Sequence, residues 1–152
     1  MRAAWLLPFL SAICAAAPAT AQPWRPVGYQ GFVESIDALV GPGAIDCGFL
    51  NLLDGKQGAN AKRAAYQCVR SALQGRRPFK FGTLRIPADS YGYEILARTP
   101  QGELWRVTFD RMLTDDESGQ QWNQVCQSAS IDADLVVHGK DCVSKPDGRL
   151  NR

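Results

Sequence analysis

The residues best able to do chemistry in this chain are the four scattered cysteines beyond Cys14, a single histidine and a run of arginines. Cys47, Cys68, Cys126 and Cys142 are too far apart for the paired-ligand knuckle of a zinc site, and there is no Cys-x-x-Cys for redox work. An even set of thiols in a small exported chain instead reads as two disulfides. His138, in "LVVHGKD", lies between an apolar run and a glycine, with no orienting partner evident from the sequence. Ser90, in "ADSYG", lacks the first glycine of a nucleophile elbow. "GPGAID" has two glycines at dinucleotide spacing without the third, and "DDESG" is too short for an EF-hand loop. No catalytic residue, metal ligand or cofactor is therefore assigned.

Charge is more informative in its distribution than in its total. The 152 residues carry 17 basic and 15 acidic side chains, a near balance that names no partner. From Gly55 to Ala88, however, there is no acid, while Lys56, Lys62, Arg63, Arg70, Arg76, Arg77, Lys80 and Arg85 fall inside that window. Acids gather later, at Asp110 and at 115–117. Such a run is most simply a solvated surface. Its functional reading is an anionic partner: an acidic protein surface, a polyanionic envelope polymer or a lipid head group. Arg63, Arg70, Arg76 and Arg77 are the candidate contact residues. Nucleic acid is not expected outside the cytoplasm, and the basic residues are not read as carrying an aromatic stacking platform.

Compartment follows from the first residues. Met1-Arg2 is a short positive start, residues 3–17 are almost wholly apolar, and "ATA" at 19–21 has small residues where a signal peptidase reads. Cleavage after Ala21 would leave 131 residues bound for the periplasm or the exterior, with no later stretch apolar enough to span a bilayer. Lipidation at Cys14 is not expected, because the residue before it is the bulky Ile13.

The elements that position these residues can be read from periodicity. Residues 22–30 form an extended arm, a single domain covers 31–143, and a charged, loose tail runs from 144 to 152. Phe32, Val33, Ile36, Leu39 and Val40 fall at helical spacing, and "GPG" at 41–43 stops that helix. Asp46 is placed as the cap of a second short turn bearing Phe49, Leu50 and Leu53. A third helix, 61–74 with Asn60 as N-cap, puts Ala61, Ala64, Ala65, Cys68 and Ala72 on one arc, with Val69 at its edge. Arg63, Gln67, Arg70, Ser71 and Gln74 take the other arc, and Gly75 is expected as a left-handed cap. Cys68 thus faces the core and needs a partner from within; the apolar segment "IDCGFLNLLDG" offers Cys47. The predicted pairs are Cys47–Cys68 and Cys126–Cys142, each closing a loop of about twenty residues.

Beyond Gly75 the period becomes two. Strands are expected at 79–86, with a bulge at Gly82 where parity slips, at 91–98 and at 103–110. "TPQG" between the last two suits a type I turn with a glycine bulge. A polar loop at 115–120, a strand at 121–129 and an edge strand at 132–139 complete the domain. The expected fold is α+β: N-terminal helices packed on a C-terminal antiparallel β-meander, with the alanine stripe close against one face.

The order of "DCG", "AAYQC", "GRRPFKFG" and a hairpin resembles a set of small exported bacterial proteins of unassigned function. Separately, a helix followed by "YGYEILARTPQGELWRVTFD" is similar to the helix and meander of PepSY-type domains, with Tyr93, Gly102 and Asp110 in the places of their strand-opening tyrosine, turn glycine and strand-closing aspartate. This likeness covers about fifty residues and departs from the pattern in its cysteines and its longer "DRMLTDDESG" ending. It implies a helix on a meander, and protease restraint as one activity. The expected function is a non-catalytic binding or interaction module, with inhibition of an extracytoplasmic enzyme as one form. The alternative is a small envelope hydrolase with a dispersed site.

Overall fold

In a computed structural model, residues 30–53, 57–85, 89–112 and 119–145 are described. The expected leader, residues 22–29 of the expected arm, the acidic residues 115–117 and the expected tail beyond Lys145 lie outside them, while Gln30, expected in the arm, opens the first helix. The element order is α1 (Gln30–Val40), β1 (Ile45–Asn51), α2 (Ala59–Gln74), β2 (Phe79–Arg85), β3 (Ser90–Arg98), β4 (Leu104–Met112), β5 (Gly119–Ile131) and β6 (Val137–Lys145). The six strands form one sheet in chain order. β1 runs parallel to β2 and every later pair is antiparallel. The fold is α+β with both expected disulfides present.

The segment 45–51 is a strand, not the expected second helical turn. Apolar residues on both sides of a doubly covered strand can imitate helical spacing, since neither face need be polar. Here a bulge adds to the imitation. Asp46 pairs with Lys80 and Phe49 with Gly82, so β1 carries one extra residue. Gly48 takes φ 92° in that bulge, and its N–H donates to Asp46 Oδ1 at 2.8 Å. Cys47 and Leu50 consequently join one side of the sheet and Phe49 the other. No bulge falls at Gly82: β2 and β3 stay in register from Phe79 to Arg85. The change of parity seen in the sequence reflects burial of both faces of β2.

The helices do not share a face. α1 buries Phe32, Ile36 and Val40 against Phe49, Tyr93, Ile95, Trp105, Val107 and Phe109. α2 buries Ala65, Val69 and Ala72 against Phe79, Phe81, Leu96 and Leu104 on the opposite side. A parallel β1–β2 pair requires a crossover, and α2 supplies it.

α2 begins after Gly58, not Asn60, and Gly58 provides no side-chain cap. Its buried stripe centres on Val69, with Cys68 at the edge and Ala61 and Ala64 exposed, so the expected arc is turned toward Val69. At its end Gly75 keeps an ordinary φ of −75°, and Arg76 takes the left-handed position at φ 51° instead.

The "TPQG" hairpin is as expected: the Gly102 N–H donates to Thr99 O at 3.0 Å, and Gly102 adopts φ 92°. β5 and β6 depart from expectation in length. Residues 132–136 form the turn between them and β6 runs to Lys145, past Ser144, where the tail was expected to begin. That turn lies over the α2 side of the sheet, where Leu135 is fully buried. Arg85 ties it to β2, its Nη2 donating to Asp134 O at 3.1 Å.

Candidate functional site

Cys47, on β1, bonds to Cys68, on α2, and so fastens the crossover helix to the sheet edge. Cys126 and Cys142 are directly opposed on β5 and β6, with Cα atoms 3.9 Å apart. Each of the four expected cysteines is thus a staple, and α2 is held as a fixed platform.

The basic window divides in two on that platform. Lys80 is mostly buried on β2, and its ammonium pairs with Asp37 of α1 and, at 3.4 Å, with Asp46 of β1. Arg85 is committed to the 132–136 turn. These two serve the fold. Lys62, Arg63, Arg70, Arg76 and Arg77 are exposed. Arg63 and Arg70, seven residues apart, lie on one helix face about 10 Å apart along the axis. The Arg70 guanidinium sits over the Tyr66 ring, 5.4 Å from its centroid, and Nη1 donates to the phenol oxygen at 3.4 Å. Among the described residues no carboxylate forms an ion pair with Arg63, Arg70, Arg76 or Arg77. The helix brings Arg63 and Arg70 together; Arg76 and Arg77 follow at its C-terminal end.

Arg98, which the sequence reading did not single out, approaches this end from the sheet. It closes β3, and its Nη1 donates to Gly102 O at 3.0 Å across the hairpin. Desolvation, then the charge of Arg76, push its guanidinium below the usual arginine range. Its one available sequence signal is its place just before a turn, where a long side chain can reach the neighbouring layer. Leu73, Arg76, Arg98, Glu103, Leu104 and Ser128 help line a groove of about 520 Å³ between α2, the β3–β4 turn and β5.

His138 has a partner after all: its Nε2 lies 2.9 Å from Asp132 Oδ2. The other carboxylate oxygen of Asp132 accepts the N–H groups of Asp134 and Val136, both at 2.9 Å. These contacts hold the carboxyl below its ordinary value, the His138 hydrogen bond most of all. The pair closes an exposed turn. Ser90 is buried at the start of β3. Among the described residues no group of three or more His, Cys, Asp or Glu could hold a metal ion, and no helix is long and apolar enough to cross a membrane.

Compared with protein-family models, curated proteins and solved structures, the chain matches none.

Proposed function

We propose that this protein is an exported binding module without catalytic activity, whose α2 arginines meet an anionic partner, and that restraint of an extracytoplasmic enzyme through an acidic surface is one form of that activity. The observation that carries the reading is the separation within the basic window. Lys80 and Arg85 are consumed by the fold, whereas Arg63, Arg70, Arg76 and Arg77 stand exposed and without carboxylate partners among the described residues, on a helix locked to the sheet by Cys47–Cys68. Arginine suits the task because its planar fork binds carboxylate or phosphate in two places at once. The disulfides support export, since such bonds persist in oxidising compartments.

Changing Arg63, Arg70, Arg76 and Arg77 to glutamine tests the reading. Exposed charges add little to stability, so the melting temperature should stay nearly constant. Capture of a partner from an envelope extract should weaken, and wild-type capture should fall as salt rises. Equal capture by both proteins refutes the basic surface. A mature N-terminus other than Gln22, with the chain kept in the cytoplasm, refutes export.

A further inference from the structure

The end of α2 has an unusual construction. Glycine is the residue that adopts positive φ without strain, and Gly75 is available, yet the left-handed position falls one residue later, on Arg76. The backbone there is well tied: the Arg76 N–H donates to Leu73 O at 3.2 Å and the Arg77 N–H to Ala72 O at 3.1 Å. Glycine at 76 could make the same turn without the strain. A side chain kept in a disfavoured conformation points to a role for that side chain.

Arg76 lines the groove together with Arg98. The Arg98 Nε is buried and has no hydrogen-bond partner among the described residues. Two like charges therefore share one depression, and neither forms an ion pair with a described carboxylate. Glu103 is the one acid among the lining residues, and its Oε2 accepts from the Trp105 indole at 3.2 Å. With two guanidiniums and one carboxylate, the lining has a net charge of +1. Leu73, Leu104 and Ala129 add apolar wall, and Ser128 adds a hydroxyl. A monoanion with an aliphatic stem matches that lining. A phosphate dianion would exceed its charge and meet repulsion from Glu103.

We propose that this groove holds a single carboxylate of an acidic peptide segment, gripped by Arg76 and Arg98. The proposal rests on the binding-module reading and narrows it to one ligand chemistry and one place. Arg63 and Arg70 would then lie outside the groove, raising the encounter rate more than the lifetime of the complex.

The test uses the full mature chain and an end-blocked tetraglutamate peptide, with tetraglutamine and inorganic phosphate as comparison probes. Tetraglutamate should shift the backbone amide resonances of Leu73, Gly102 and Ser128, and neither comparison probe should match it. Arg98→Gln should weaken the peptide about tenfold or more, as expected for a lost charge-assisted hydrogen bond. Joint change of Arg63 and Arg70 to glutamine should weaken it only a few-fold. Arg76→Gly separates structure from binding: relief of the left-handed strain should raise the melting temperature, while peptide affinity falls. A stabilised Arg76→Gly protein that binds normally overturns the proposal, as does preferential binding of phosphate. Loss of binding in the Arg63 and Arg70 variant alone, with Arg98→Gln unaffected, overturns the groove but leaves the wider basic surface standing. Failure of tetraglutamate to bind at all also overturns the groove, and the envelope capture then judges the binding-module reading separately.

Discussion

The two faces of the sheet are closed by different means. Under α1 the filling is aromatic. Phe32 stacks on Phe109 at 5.3 Å between ring centroids and meets Tyr93 edge-on at 6.3 Å, while Phe49 stacks on Tyr93 at 6.2 Å. The Tyr93 phenol is so well enclosed that desolvation raises it above its ordinary value. Large rings bury enough area to hold a short helix without a covalent tie. Under α2 the helix side of the contact is small: Ala65, Val69 and Ala72 let it lie close but contribute little area each. Closure there is completed by the Cys47–Cys68 bond and by Leu135 folding in from the β5–β6 turn. One face is thus held by packing. The other is held by a close approach plus ties, and it leaves α2 free to present arginines.

Substitutions that remove one means from one face should sharpen this contrast. Phe32→Ala removes the ring that touches both Tyr93 and Phe109, and should cost about 3–5 kcal/mol in urea unfolding, the range for a buried phenylalanine. A cost below about 1 kcal/mol, within the range of an Ile→Val trim, would show that the α1 face does not depend on its rings. Replacing Cys47 and Cys68 by alanine should cost about 3 kcal/mol, since the bond closes a 21-residue separation. An unchanged urea midpoint would mean that packing alone holds α2.

Gly139 gives a smaller effect on the other disulfide. A Cβ there would sit 2.5 Å from Cys142 Sγ and 2.8 Å from Cys126 Sγ, and the bond leaves those atoms little room to retreat. Gly139→Ala should therefore destabilise by about 1–3 kcal/mol, the usual range for overpacking. The penalty should shrink when Cys126 and Cys142 are both alanine; an equal penalty in that background would place the cause elsewhere.

The smallest effect belongs to Asp132, on the exposed turn. Its folded carboxyl titrates below the ordinary 3.8, so folding favours the ionised form. The resulting stability is complete above that value and is lost as pH falls through the folded one. Asp132→Asn should be less stable than wild type near neutral pH, with the gap closing as pH drops below about 3.8. A gap that stays constant down to low pH would show that the charge is not what holds the turn.

Legibility followed the same division. α1, the β3–β4 hairpin and both disulfides were readable, because each depends on local spacing or on a glycine turn. The Cys47–Cys68 pair was reached although Cys68 lies at the edge of the stripe; identifying the correct side of the helix was enough. β1 was not readable. Its bulge and its two buried faces remove the alternation that marks a strand, and only pairing with β2 reveals it. The segregation of the helices to opposite faces was hidden for the same reason, since it depends on the crossover. In the site, the exposure of Arg63 and Arg70 followed from helix periodicity. The capture of Lys80 by Asp37 and Asp46, and the approach of Arg98 to Arg76, join residues far apart in sequence and needed the fold to appear.

The disulfide connectivity also bears on how the chain acquires its bonds. Cys47 is joined to Cys68 and Cys126 to Cys142, so each bond links two cysteines that are neighbours in sequence order and the two loops do not overlap. A chain oxidised amino end first presents Cys47 and Cys68 to each other while Cys126 is still to come. Thiol–disulfide exchange needs a free thiolate near an existing bond, and until Cys126 appears the closed Cys47–Cys68 pair leaves neither of its own thiols free. The second pair then forms inside a single hairpin, where its partners are near neighbours. Oxidation in chain order would therefore favour the native pattern and make little demand on disulfide isomerisation.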